Sequence, residues 1–163
     1  MKNSIAICPG SFDPVTNGHL DIITRASHMF DRVIVVVAYN TDKKHCFTPE
    51  ERVEMIKKCI PDLKNVEVVH FDGLLADYAA ARGATAIIKG LRAMSDFEYE
   101  FQMALTNKKL NPNVETLFLT TDAQNMYLSS SMVRQIASMK GDISSFVPEA
   151  IRQDIIDRIN SKK

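Results

Sequence analysis

The sequence predicts a doubly wound α/β fold on a mainly parallel, five-stranded sheet. Three observations carry this. Strand-like and helix-like segments alternate along nearly the whole chain, the order that yields parallel strands joined by right-handed crossovers. The segment Arg32-Val33-Ile34-Val35-Val36-Val37-Ala38-Tyr39 is almost unbroken apolar, β-branched sequence, as expected of a strand covered on both faces. Polar, basic and Gly/Pro-rich residues gather directly after the apolar runs, where ligands bind in such sheets.

Each element has a local reason. Ile5-Ala6-Ile7 reads as a short buried strand feeding a loop, Cys8-Pro9-Gly10-Ser11-Phe12-Asp13-Pro14-Val15-Thr16-Asn17-Gly18-His19. A helical pattern follows, with Leu20, Ile23 and Ala26 on one side. Residues 32–39 form the second strand. Thr48-Pro49-Glu50-Glu51 is a capping box with proline at the first helical position, opening a helix to about Cys59. Residues 66–71 are the third strand, and a helix over 74–82 is stopped by Gly83. Residues 84–88 are the fourth strand, and a helix over 95–110 ends ahead of Pro112. Residues 114–120 are the fifth strand. A helix over 130–140 is ended by Gly141, and the last helix covers 148–160. No repeat, low-complexity tract or linker interrupts this order, so residues 1–163 are expected to form one domain.

Bulk composition narrows the partners. Twenty basic and twenty acidic residues cancel, which argues against a duplex-binding surface or an anionic-membrane patch but allows a small basic pocket. No nucleic acid and no membrane is expected as a partner. No stretch approaches the roughly 18 apolar residues of a membrane span, and the start of the chain lacks the pattern of a signal peptide. Cys8, Cys46 and Cys59 are odd in number and lack CxxC spacing, so they read as reduced thiols of a cytoplasmic protein, with no metal assigned to them.

Four segments carry candidate chemistry. His19 falls in the first turn of a helix, where unpaired N–H groups and the positive end of the dipole favour phosphate. The alternative is a tight turn in which the glycines only relieve strain. Lys43 and Lys44 follow the second strand, either reaching back to a phosphate or forming a solvated pair. In Ile88-Lys89-Gly90-Leu91-Arg92, Gly90 permits close approach of backbone to a ligand between two positive charges, or the charges simply flank a helix entry. In Asn125-Met126-Tyr127-Leu128-Ser129-Ser130-Ser131, three serines at a helix start exceed what capping requires and could hold a phosphate. Glu98 and Glu100 are two apart, so they are poor candidates for a paired acid/base site. His28, His45 and His70 read as surface or satisfied, partly buried histidines. Met55, Met103 and Met139 read as core or subunit contacts.

Thr16-Asn17-Gly18-His19 resembles the signature of the nucleotidyltransferase superfamily, and the longer run from Pro9 to His19 is similar to its bacterial phosphopantetheine adenylyltransferase branch. Lys89 to Glu100 and Asn125 to Arg134 resemble that family in the same order, so the likeness covers essentially the whole chain. It implies a Rossmann-like nucleotidyltransferase fold. It also implies transfer of the adenylyl group of ATP to 4′-phosphopantetheine, giving dephospho-coenzyme A and pyrophosphate, in a cytoplasmic homohexamer that uses Mg²⁺. His19 would then stabilise the transition state at the α-phosphate, with Ser11 and Thr16 as neighbouring donors. ATP would be held by Ser11, Phe12, His19, Gly90, Leu91, Arg92, Glu100 and residues 125–131, and the acceptor by Ser11, Lys43, Leu75 and Lys89. Two departures stand out. Lys89 occupies a position where the family pattern has Arg, which removes a bidentate fork. Asn125 stands where Trp is frequent, and it offers no face for stacking on a base. Two other readings remain: a related enzyme using nicotinamide mononucleotide, or a glycerol or choline phosphate with CTP, and a non-catalytic nucleotide sensor.

Overall fold

A computed structural model describes residues 4–38 and 44–161. Its sheet has five strands in the order β3-β2-β1-β4-β5, namely β1 (Ile5–Gly10), β2 (Arg32–Ala38), β3 (Val66–Phe71), β4 (Ala86–Leu91) and β5 (Glu115–Thr120). Every neighbouring pair runs parallel. The helices among the described residues are α1 (Asn17–Met29), α2 (Pro49–Cys59), α3 (Leu75–Ala81), α4 (Met94–Leu110), α5 (Ser130–Ser138) and α6 (Glu149–Ser161), with a short 3₁₀ turn at Ala123–Asn125.

Alternation along the central strands sorts the core into two layers, because successive side chains leave a strand on opposite faces. Ala6, Cys8, Val33, Val35, Val37 and Ile88 pack with Ile23 of α1, Ile56 of α2, Val133 of α5 and Ile151 of α6. Ile7, Ile34, Val36 and Ile87 pack on the other face with Ala79 of α3 and with Val114. The doubly wound expectation is therefore met, as is the capping box: Thr48 and Glu51 each bond the other's backbone N–H at the start of α2.

Three boundaries differ for identifiable reasons. β1 continues through Pro9 and Gly10 because both stay in register with Val36 and Val37 of β2. β4 lies later than the expected 84–88, running to Leu91 in pairing with Thr120 of β5, so Lys89 and Gly90 are strand residues rather than loop residues. Gly83 ends α3 at φ +64 as expected, but at the end of α5 the left-handed residue is Lys140, φ 60, and not Gly141. Gly141 N–H and Lys140 N–H bond the carbonyls of Ile136 and Ala137, the double closure of a Schellman end. Gly141 is needed for space there, since a Cβ would stand 2.6 Å from Ile136 Cγ2.

Ile87 is fully buried between β1 and β5. We expect Ile87→Ala to lower unfolding stability by about 2–5 kcal/mol in a denaturant titration.

Candidate active site

β1 and β4 pair only at Ala6 with Ala86 and Ile7 with Ile87. Beyond that each strand stays with its outer neighbour, β1 with β2 to Gly10 and β4 with β5 to Leu91. The two therefore part at the point where the strand order reverses, which is where α/β sheets take ligands. A cleft of about 670 Å³ opens there. Into it come residues from the end of β1, the start of α1, the end of β4, α4 and the start of α5.

The loop after β1 is tightly determined. Phe12 sits at φ 47, a left-handed conformation that costs a non-glycine residue roughly 1–2 kcal/mol. Its ring is 4% exposed and meets the His19 imidazole edge-on, with centroids 5.1 Å apart. Gly10 admits this fold, since a Cβ there would lie 2.9 Å from the Phe12 ring. Asp13, buried and followed by a cis peptide to Pro14, accepts from the N–H groups of Cys46 and Phe47 at 2.8 and 2.9 Å. Its carboxylate also faces His45 Nδ1 and Arg134 Nη1, each at 3.7 Å, while Arg134 donates to the Asp13 carbonyl. Asp13 thus joins the loop, the segment before α2 and the first turns of α5.

Thr16 caps α1 and fixes His19. The Thr16 N–H donates to His19 Nδ1 at 3.0 Å, so Nδ1 is an acceptor and the neutral ring carries its proton on Nε2. Burial first, and then the Arg92 cation, lowers the His19 pKa from 6.5 to about 4. The imidazole is a neutral donor at pH 7. Thr16 itself was expected to donate to phosphates, but its hydroxyl is 1% exposed and held by the His19 N–H and ring.

The serines divide their work. Ser129 caps α5 by accepting from Met132 N–H at 3.2 Å. Ser130 donates to the Pro14 carbonyl at 2.7 Å, tying α5 to the β1–α1 loop. Ser131 is exposed, with its hydroxyl 3.1 Å from that of Ser129. On the β4 side, Lys89 Nζ lies 3.1 Å from Glu100 Oε2, an ion pair across the cleft wall. Arg92 donates through Nη1 to the Leu128 carbonyl at 2.7 Å and through Nε to Asp96 at 3.2 Å. Cys8 also lines the cleft, but burial pushes its thiol up to about 12, so it is no nucleophile.

Of the residues singled out from sequence, Ser11, Phe12, His19, Lys89, Gly90 and Arg92 line this one cleft. So do Glu100, Asn125, Leu128, Ser129, Ser130 and Ser131. Leu91, Leu75, Met126 and Tyr127 are not among its lining residues. Leu75 opens α3 against the second core layer, and Met126 and Tyr127 are more than half exposed, with Tyr127 edge-on to Phe146 at 6.1 Å. Lys43 lies outside the described residues.

The chain matches the family model described as cytidylyltransferase-like over residues 7–136. A phosphopantetheine adenylyltransferase of Clostridium tetani is 57% identical over 98% of this chain and 99% of its own length. The namesake of Alkaliphilus metalliredigens is 59% identical over 91% and 95%. This chain belongs to the phosphopantetheine adenylyltransferase family. Among solved structures, the nicotinic acid mononucleotide adenylyltransferase of Plasmodium falciparum, complexed with NaAD, superposes with a TM-score of 0.69 at 16% identity. It covers 98% of this chain and 96% of that one, and it shows the fold alone.

Sequence reasoning quoted Asp13 and Arg134 without giving them a task, read His45 as a surface or satisfied, partly buried histidine, and passed over Arg52. Asp13 and Arg134 had a usable signal. Asp13 sits inside the loop motif, and Arg134 falls four residues after Ser130, hence on the same helix face. Arg52 becomes visible only in three dimensions, beneath Ser11, while His45 lies partnered beside Asp13, as a satisfied, partly buried histidine would.

In the ligand-free protein the His19 ring should titrate near pH 4 and remain the Nε2–H tautomer at pH 7, read by ¹⁵N chemical shifts of the imidazole. Titration near 6.5 would contradict the burial of the ring beside the Arg92 cation.

Proposed function

We propose that this chain transfers the adenylyl group of ATP to 4′-phosphopantetheine, acting as one domain over residues 1–163. The observation that carries the reading is the meeting of His19, Arg92, Lys89 and the serine-capped start of α5 in one cleft. A phosphate oxygen of the acceptor attacks the α-phosphorus of ATP. The new P–O bond forms as the bond from the α-phosphorus to the bridging oxygen breaks, and pyrophosphate leaves with that electron pair. The second pKa of a phosphate monoester is about 6, so the nucleophile arrives as an anion and needs no general base.

Catalysis then rests on positioning and on charge stabilisation. His19 donates from Nε2 to an α-phosphate oxygen, an interaction that strengthens as charge develops. Ser11 and the Phe12 N–H stand beside it. Arg92, Ser129 and Ser131 serve the β- and γ-phosphates. Lys89 and Lys43, the latter assigned from the family pattern, hold the acceptor's phosphate, with Leu75 along the acceptor and Glu100 on the nucleotide. Lys89 can keep Glu100 and still offer a donor, because an ammonium has three. Gly90, Leu91 and the stretch Asn125, Met126, Tyr127, Leu128 and Ser130 frame the nucleotide.

Mg²⁺ belongs to this reading as a companion of the triphosphate. Among the described residues no group of three or more His, Cys, Asp or Glu could hold a metal. Asp13, Asp96 and Glu100 are each committed to amides or cations. The donor set among the described residues does not fit a protein-built cage, so the ion would be held by phosphate oxygens and water.

Two further parts concern setting. Assembly as a homohexamer is supported by α4, which exposes Tyr99, Phe101, Leu105 and Leu110. A cytoplasmic location suits Cys8, Cys46 and Cys59, which form no disulfide. No helix of the described residues is long and apolar enough to cross a membrane.

Pyrophosphate should be released from ATP only when 4′-phosphopantetheine is supplied, and not with nicotinamide mononucleotide, in a coupled pyrophosphate assay. His19→Ala should lower kcat by about 10²–10⁴-fold with KM for ATP much less affected. A loss confined to KM would refute the transition-state role. Sedimentation should give six copies, and a monomer would refute the assembly.

A further inference from the structure

Arg52 lies in the first turns of α2 and is fully buried, yet it is not among the residues that line the cleft. Its guanidinium is directed at backbone carbonyls. Nε donates to Thr48 O at 3.3 Å, and Nη1 donates to Ser11 O at 2.8 Å and to Ala38 O at 3.5 Å. The Ser11 carbonyl belongs to the loop that carries the phosphate-facing groups, and Ala38 closes β2.

The consequence follows from peptide geometry. The Ser11–Phe12 bond is trans, so its C=O and N–H point in opposite directions. Holding the carbonyl on Arg52 turns the Phe12 N–H away from α2. It also pins the peptide that precedes the left-handed Phe12, whose ring is the edge-on neighbour of His19. One buried cation therefore governs a donor of the loop and the packing partner of the imidazole.

We propose that Arg52 is a positioning residue for adenylyl transfer, acting through the Ser11–Phe12 peptide without touching either substrate. The proposal rests on the reading of the cleft given above. Arginine is suited to this task because its planar fork reaches several carbonyls from fixed directions and stays charged when buried. A lysine ammonium at the same place keeps the charge and loses the fork.

The test is Arg52→Lys, alone and combined with His19→Ala, with folding checked by circular dichroism and kinetics referred to folded protein. The single variant should lose at least about tenfold in kcat with KM for ATP shifting less than about threefold. In the His19→Ala background the same change should cost less than about twofold, because both act on one phosphate. An unchanged kcat in folded Arg52→Lys, or full additivity with His19→Ala, overturns the proposal. An amide titration of the unaltered protein with ATP, the acceptor withheld, adds a test that needs no variant. The Phe12 N–H resonance should move, and a resonance that stays in place overturns the proposal. If the unaltered chain turns over no ATP with 4′-phosphopantetheine, the proposed function fails, and the inference falls with it. If it turns over normally and Arg52→Lys does too, only the inference fails.

Discussion

Everything in the cleft depends on β1 and β4 pairing at two positions and then separating. A parallel ladder could have continued, since each strand goes on bonding to its outer neighbour. Instead the chain fills the gap with the loop after β1 and the serine-led start of α5. Two helix N-termini, those of α1 and α5, are brought to one opening, and both turn positive dipole ends towards it. Backbone dipoles thus add positive potential to the cleft of a chain whose side-chain charges balance.

Side-chain charge in the cleft is paired with neighbours before any ligand arrives. Lys89 is on Glu100, Arg92 is on Asp96 and the Leu128 carbonyl, and Arg134 is on Asp13. Such contacts hold long side chains in place and reduce the ordering cost on binding. Farther out, Arg158 of α6 donates to Glu51 and to the Cys46 carbonyl and lies over the Phe47 ring at 5.0 Å. The segment before α2 is thereby held from outside by α6 and from inside by Asp13.

The sequence foretold the fold well where local chemistry and tertiary structure agree. The Thr48 box, the Gly83 stop and the β-branched second strand are all read from neighbours within a few residues. It misled where a residue's usual meaning was overruled by pairing. Lys89 and Gly90 look like loop residues, but the β5 ladder makes them strand. Gly141 looks like a left-handed cap, but Lys140 takes that conformation and Gly141 answers a steric need. Most of the cleft lining was legible as a list, because the family's motifs mark it, although Leu75, Leu91, Met126 and Tyr127 fall outside it. Arg52 was not, because it meets the Ser11 and Ala38 carbonyls across the fold, and a carbonyl leaves no trace in the identity of the residue that bears it.

The hydrogen bond from Thr16 N–H to His19 Nδ1 has one more effect. With that nitrogen occupied, the ring can lend a proton from its other side but has no vacant position to receive one. Each described carboxylate along the cleft is likewise engaged by amides or cations. Water, a hydroxyl or a thiol attacks well only as it sheds a proton, and among the described residues of the cleft no side chain stands open to accept one. A cleft so furnished favours a nucleophile that arrives already as an anion over one that must first lose a proton.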